Sequence, residues 1–243
     1  MTRFTVRAFT DVGLLRKRNE DAVLVAGWQC QSHDGSLVTM DFDSAPPFVC
    51  AVADGMGGHV GGDLASRVAL TVIAQLSPAW SSADDVSASL EIVNEQVRAV
   101  GAGNDLVGLG TTVAGLCFLS GELLVFNVGD SRIYSIAGGA VRQISIDDSV
   151  FDSAGRPTNV ITQSLGQPGP VRPHVLSLPL VPGTHLLCSD GVSGMMSFDE
   201  LTEAAREPDL GRCAVRIIET TRANGAEDNF SFLIVDVEPG DDA

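Results

Sequence analysis

Residues 111–128 read Thr111-Thr112-Val113-Ala114-Gly115-Leu116-Cys117-Phe118-Leu119-Ser120-Gly121-Glu122-Leu123-Leu124-Val125-Phe126-Asn127-Val128. Two apolar runs, Thr111–Leu119 and Glu122–Val128, flank the short turn Ser120-Gly121, which is the pattern of a β-hairpin. Hairpins join antiparallel neighbours, so this stretch argues against a doubly wound parallel sheet. Downstream, Ser131–Ile136 and Ala140–Ile146 flank Gly138-Gly139 and predict a second hairpin. Further strands are predicted at Thr5–Thr10, Asp21–Gly27, Phe48–Ala53, His185–Cys188 and Phe230–Val237.

Between these runs the apolar period changes. Leu64, Ala65, Val68, Ala69, Val72, Ile73 and Leu76 form one helical stripe, and Val86, Leu90, Val93, Val97 and Val100 form another. Ser82 with Asp85 three residues on is a capping signal for the second helix, and Gly101 and Gly103 are expected to stop it. Ser197-Phe198-Asp199-Glu200 has capping-box spacing and opens a helix through Ala205. A last helix is expected from Leu210 to Arg222, ending at Asn224-Gly225. The order of strands, two helices, strands, two helices and a strand predicts an α+β fold. Two antiparallel sheets pack together and the helices cover their outer faces.

The 243 residues suit one domain, and 44% hydrophobic against 19% charged residues is enough to build a core. Fifteen Lys+Arg against 31 Asp+Glu give a formal charge of −16. That field repels nucleic acid and anionic membranes and concentrates cations, while also serving solubility. Cys30, Cys50, Cys117, Cys188 and Cys213 are odd in number, scattered and without a CxxC pair, so neither zinc nor a disulfide framework is indicated. The start Met1-Thr2-Arg3-Phe4-Thr5-Val6-Arg7 lacks a signal-peptide apolar stretch, and no run reaches spanning length. The expectation is a soluble, cytoplasmic monomer.

The chemistry sits where apolar strands end. Phe48–Ala53 runs into Asp54-Gly55, Leu186–Ser189 into Asp190-Gly191, and Phe126–Gly129 into Asp130-Ser131-Arg132. Glu20-Asp21 and Asp228-Asn229 precede strands. Read singly, each Asp-Gly is a turn, Glu20-Asp21 a solvated pair and Asp228-Asn229 a turn or cap. Read together, five strand-end acids make a cleft whose carboxylates repel unless cations neutralise them. Oxygen ligands without a Cys or His cluster select Mg²⁺ or Mn²⁺. The glycines after Asp54 and Asp190 allow tight turns or close backbone approach, so the Gly55 carbonyl is a further candidate ligand. Arg16 is suited to phosphate capture or is a surface residue of a basic run, and His59 is a general acid or a loop histidine.

Taken in order, Gly13-x-x-Arg16-x-x-Asn19-Glu20-Asp21, Asp54-Gly-Met-Gly-Gly-His59, Gly110-Thr111-Thr112, Val128-Gly-Asp-Ser-Arg132, Ser189-Asp190-Gly191 and Asp228-Asn229 closely resemble the metal-dependent protein phosphatase family, type 2C, and its bacterial branch in particular. The resemblance covers roughly residues 9 to 237. It implies a four-layer αββα sandwich, two antiparallel β-sheets flanked by helix pairs. It also implies one phosphatase domain over residues 1–243, with a core from about 5 to 237.

The implied activity is hydrolysis of phosphoserine and phosphothreonine in proteins by a water bridging two Mn²⁺ or Mg²⁺ ions, with a third ion as an option. By position, Asp54 bridges both ions, Gly55 lends its carbonyl to one, and Asp190 and Asp228 hold the other. Glu20 and Asp21 orient metal waters, Asp130 joins Asp190 at the weaker third ion, and Arg16 binds phosphate. The implied catalytic residues are Arg16, Asp54 and Asp190. The implied partners are phosphorylated proteins, a bacterial serine/threonine kinase and its substrates, with neither nucleic acid nor membrane.

Three positions depart from the family pattern. Met56 stands where animal relatives carry a histidine proposed as general acid, and Met cannot donate a proton. Ile146-Asp147-Asp148-Ser149 stands where many bacterial members read Asp-His-Ser, and the flap stretch from Ser149 to Thr162 is short. Two other readings compete with an active protein phosphatase: a catalytically weak phosphoprotein-binding regulator, and a different two-metal hydrolase such as a nuclease or small-molecule phosphatase.

Overall fold

The computed structural model describes residues 1–32, 34–56, 61–103, 106, 108–151 and 157–238. In chain order its strands and helices are β1 (Thr2–Asp11), β2 (Asp21–Val25), β3 (Trp28–Cys30), β4 (Val38–Ser44), β5 (Phe48–Met56), α1 (Gly62–Leu76) and α2 (Ala83–Gly103). Then follow β6 (Gly110–Thr111), β7 (Val113–Leu119), β8 (Glu122–Val128), β9 (Arg132–Ala137), β10 (Ala140–Gln143), β11 (Ser149–Phe151), β12 (Pro157–Ile161), β13 (His174–Pro179) and β14 (Gly183–Cys188). The chain closes with α3 (Asp190–Ser193), α4 (Phe198–Ala205), α5 (Leu210–Ala223) and β15 (Phe230–Glu238).

The Ser120-Gly121 hairpin forms as read, pairing Leu119 with Glu122 and Val113 with Val128, with Gly121 at φ +74°. One sheet has the order β10-β9-β14-β15-β1-β4 and the other β13-β8-β7-β5-β2-β3, with β6 pairing β5. Every pairing within the two sheets is antiparallel.

Alternation along β5 divides the core. Phe48, Cys50 and Val52 face the other sheet and pack with Phe4, Val6, Leu187, Leu233 and Val235. Val49, Ala51 and Ala53 face outward against Ala65, Ala69, Ile73, Leu90, Val93 and Val97 of α1 and α2. On the opposite side, Phe9, Leu186, Cys188, Phe230, Phe232 and Ile234 meet Leu201, Cys213, Ala214 and Ile217 of α4 and α5. The strand period of two therefore builds helix, sheet, sheet and helix layers. Among the described residues no helix is long and apolar enough to cross a membrane.

The helix boundaries show why the predicted caps work. Ser82 Oγ accepts from Asp85 N–H (3.2 Å). Ser197 and Glu200 make the full capping box of α4. α2 runs on through Gly101 to Gly103, with Gly101 packed so closely on Leu109 that a Cβ there would lie 3.1 Å from the Leu109 Cβ. β10 stops at Gln143 rather than Ile146, since Ile144 and the Ser145 hydroxyl turn back to bond Ile133. β3, β4, β6, β11, β12 and β13 lie outside the sequence expectation. β4 and β13 are half-exposed edge strands, whose residues carry a weak apolar signal.

Phe48 is 1% exposed and stacks on Phe4 at 3.9 Å between centroids, within 4° of parallel. Phe48→Ala is expected to cost about 3–5 kcal/mol, read as a lower denaturant midpoint at unchanged slope.

Candidate metal centre

Asp54 lies inside β5 and not in a turn after it, directly opposite Asp21 at the start of β2. Asp190 is the first residue of α3, one residue beyond β14, and Asp228 lies just before β15. Asp130 sits between β8 and β9. β2 and β5 belong to one sheet and β14 and β15 to the other, so stacking the sheets brings acids of both to one end of the sandwich.

The backbone around Asp54 is fixed by the Gly110-Thr111-Thr112 segment. Its N–H donates to Thr112 Oγ1 (3.1 Å), and its carbonyl accepts from Thr112 N–H and Thr111 Oγ1 (both 2.9 Å). Neither Gly55 nor Gly191 is used for a positive φ; both are there for close approach. A Cβ on Gly55 would lie 2.0 Å from Gly62 O, and one on Gly191 1.9 Å from Asn229 O.

Asp21 is fully buried; its Oδ2 accepts from Ser189 Oγ (2.7 Å), while Oδ1 has no hydrogen-bond partner. The Asp54 and Asp190 carboxyls are close enough for each to shift the other's titration. Burial, then the charges of Asp21 and Asp190, holds Asp54 well above the carboxylate range. Burial first, opposed by the Ser189 hydroxyl and reinforced by Asp190 and Asp228, lifts Asp21 to about 7. Burial and Asp190 lift Asp130 to about 6, and burial raises Asp190. Glu20 is raised by burial and by Asp63, against the pull of Arg16.

This donor chemistry fits hard divalent cations. The candidate ligands are carboxylate and carbonyl oxygens, one buried oxygen has no partner, and the carboxyls retain protons that positive charge would displace. Among the described residues no three acidic, His or Cys side chains converge as a ready-made cage. Asp228 Oδ2 instead accepts from Arg16 Nη2 (2.5 Å), so the candidate metal acid and the candidate phosphate-binding guanidinium are joined to each other. Hydrogen bonding to Asp228, partly offset by desolvation, holds Arg16 firmly charged.

Glu20 is placed by its backbone: its N–H donates to Asn229 Oδ1 (2.8 Å), and its carbonyl accepts from Ser66 Oγ (2.6 Å) and Gly55 N–H (3.1 Å). Its carboxyl lies against Gly62 at the start of α1. Asn229, Ser189 and Ser66 carry positioning work to which the sequence reading gave no role. The available signal was position: Ser189 and Asn229 sit inside the strand-end motifs and are buried polar residues, which need partners.

Arg16, Asp130, Arg132, Asp190, Glu227 and Asp228 line a cleft of about 440 Å³, and Ser149 and Thr158 of the β11–β12 ribbon edge it. The Asp147-Asp148 departure acquires a structural meaning here. Asp147 accepts from Arg132 (2.8 Å) and Gln143 (2.7 Å). Asp148 accepts from Gly129 N–H, Gln163 Nε2 and His174 Nε2 at 2.8 Å each, tying the Asp130 loop to the root of the ribbon. Met56 ends β5 beside Gly110. His59 and residues 152–156 of the flap lie outside the described residues.

The family model described as protein phosphatase 2C matches residues 31–230. Serine/threonine protein phosphatase PstP of Mycobacterium tuberculosis is 29% identical over 254 residues, taking in 95% of this chain but 44% of the relative, so the chain spans under half of that protein. Serine/threonine phosphatase stp of Listeria monocytogenes is 30% identical and covers 93% of both chains. The aligned 254 positions of the PstP match exceed the 243 residues of this chain, so that relative carries residues absent here. The crystal structure of the PstP catalytic domain in complex with two manganese ions superposes with TM-score 0.79 at 28% identity, covering 98% of this chain and 99% of that one. PppA of Pseudomonas aeruginosa gives 0.78 at 27% identity, over 98% of this chain and all of that one. With a matching family model over most of its length and a solved phosphatase 2C-type structure superposing at TM-score 0.79, this chain belongs to the protein phosphatase 2C family.

Proposed function

We propose that this chain is a single-domain, metal-dependent serine/threonine protein phosphatase that hydrolyses phosphoserine and phosphothreonine and reverses the action of a bacterial kinase. The observation that carries the reading is the proton-retaining Asp21–Asp54–Asp190 group, in which Asp21 is fully buried with one oxygen lacking a partner and Asp190 lines the same cleft as Arg16 and Asp228. Asp54, the Gly55 carbonyl, Asp190 and Asp228 would hold two Mn²⁺ or Mg²⁺ ions, and Asp130 with Asp190 would take a weaker third. When bound, the ions neutralise phosphoryl charge and acidify the attacking water.

The chain's own residues do the rest. Arg16 exchanges Asp228 for the phosphoryl oxygens, presenting a planar donor pair. Asp21 and Glu20, fixed by Ser189, Asn229 and Ser66, orient water at the floor. Met56 gives no proton, so the leaving alkoxide is protonated from water. Residues 1–243 act as one phosphatase domain, with the core at about 5–237.

Purified protein with Mn²⁺ is expected to release phosphate from a phosphothreonine peptide. Asp54→Ala and Asp190→Ala are expected to lower turnover roughly a hundred- to a thousandfold. Arg16→Ala is expected to act mainly on KM. Absence of turnover by the wild type on every phosphoserine and phosphothreonine peptide sinks the reading. Tight phosphopeptide binding without turnover favours a phosphoprotein-binding regulator instead.

A second test concerns stability without ions. Asp21 at about 7 lies above its ordinary 3.8, so the stability it confers is complete below the unfolded value and is lost as pH rises through about 7. Chelated protein is therefore expected to melt lower at pH ~8 than at pH ~5, with saturating Mn²⁺ reversing the loss and Asp21→Asn reducing the pH dependence, the remainder coming from Asp54, Asp130, Asp190 and Glu20. Identical profiles for wild type and Asp21→Asn in calorimetry contradict it.

A further inference from the structure

The loop between β1 and β2 carries Leu14-Leu15-Arg16-Lys17-Arg18, and Lys17 is the one lysine of the chain. In a chain with 31 acidic residues and a charge of −16, this loop carries three consecutive cations, the first of which, Arg16, lines the cleft. The loop is tied down at both ends. Asn229 Nδ2 donates to the carbonyls of Val12 (2.9 Å) and Arg18 (2.8 Å). Leu14 N–H donates to Ala226 O (2.8 Å), and Gly13 N–H to Asp11 Oδ1 (2.7 Å). Gly13, at φ +75°, presses on the Asp228 backbone so closely that a Cβ would lie 2.1 Å from its carbonyl oxygen. The lip therefore has a set direction relative to Arg16 and Asp228.

Its three cations differ in use. Arg16 is engaged by Asp228. Lys17 and Arg18 are exposed, and neither forms an ion pair among the described residues. Leu14 and Leu15 beside them are 63% and 68% exposed. Glu227, also exposed, lines the cleft with Asp228, Asp190 and Asp130. Arg18 lies near enough to Glu20 for its charge to pull that carboxyl down, whereas Lys17 forms no ion pair among the described residues. Their placement next to the phosphate-binding residue suits an anionic segment arriving with the phosphate.

We infer that Lys17 and Arg18 are specificity residues that favour phosphoserine or phosphothreonine in acidic segments, with carboxylates within a few residues of the phosphate. The inference rests on the phosphatase reading above and names the substrate class of that site. Exposed charge pairs contribute up to roughly fivefold each, so the combined preference is expected near tenfold. It acts through encounter and KM and weakens with salt.

The test compares kcat/KM, with Mn²⁺, on phosphothreonine peptides with neutral, glutamate and lysine flanks, plus a doubly phosphorylated peptide. The enzymes are the wild type, Lys17→Ala/Arg18→Ala and Lys17→Glu/Arg18→Glu. The wild type is expected to favour glutamate over neutral flanks about tenfold at low salt, the alanine pair to lose the ratio, and the glutamate pair to favour lysine flanks. A gain from a second phosphate alone, with no response to glutamate, overturns the acidic-segment assignment. Amine-directed acylation of the wild type, which reaches Lys17 as the one lysine side chain, should reduce the ratio without any substitution. A ratio near one in the wild type, or the same ratio in all variants, overturns the inference. Hydrolysis of a small aryl phosphate by the wild type separates the failures. If that is absent the phosphatase reading falls, and if it is present with a flat flank ratio only the lip assignment falls.

Discussion

Carboxyl groups that would repel one another as anions are held together at the dry end of this sandwich. Asp21 and Asp54 face each other across paired strands of one sheet, while Asp190 comes from the other. Burial and mutual repulsion keep protons on groups that would ionise freely in water, so the arrangement is stable only with a compensating positive charge or retained protons. Much of the surrounding structure serves to hold that unfavourable grouping. Thr111 and Thr112 saturate the Asp54 backbone, Ser189 satisfies one Asp21 oxygen, and the packed phenylalanines between the sheets supply stabilisation elsewhere.

The same requirement explains the glycines. At Gly55 and Gly191 the backbone of one element comes within contact distance of another, and a side chain there would push the acids apart. Asn229 completes the arrangement. One amide group accepts from Glu20 and donates to Val12 and Arg18, so the segment carrying Asp228 also fixes Glu20 and the basic loop. A single neutral side chain thus coordinates acid and base positions without adding charge of its own.

How much of this was legible follows from what each signal measures. The Thr111–Val128 hairpin was readable because both of its strands are buried on both faces, which leaves long apolar runs around one turn. β4 and β13 were not, because edge strands need little apolar surface and theirs is half-exposed. The acids were legible as a set through their strand-end positions, yet Asp54 proved to be paired strand rather than turn, since a Gly that follows an Asp signals close approach as readily as a turn. The Arg16–Asp228 contact joins residues 212 apart in sequence and depends on how two loops meet, which local pattern does not encode. The work of Ser189, Ser66 and Asn229 was hidden for a related reason: a polar residue reveals its partner only once burial removes water as the alternative.

Charge distribution links the floor of the cleft to its mouth. A molecule of charge −16 repels phosphorylated proteins at long range, and the floor acids strengthen that repulsion. At physiological ionic strength the field is screened over about 8 Å, so the approach of a phosphate is governed by charges near the opening rather than by the total. The cations that line the opening are Arg16 and Arg132, the latter paired with Asp147, and Lys17 and Arg18 follow Arg16 on a loop stapled to the Asp228 segment. Arg16 is already committed to Asp228, so in the proposed reading a phosphate would recruit it by competing with a carboxylate, and a divalent cation at Asp228 would weaken that competitor. In the proposed reading, ion binding and phosphate capture would thereby be coupled through one ion pair, and the acidity of the site would become a condition for anion binding instead of an obstacle to it.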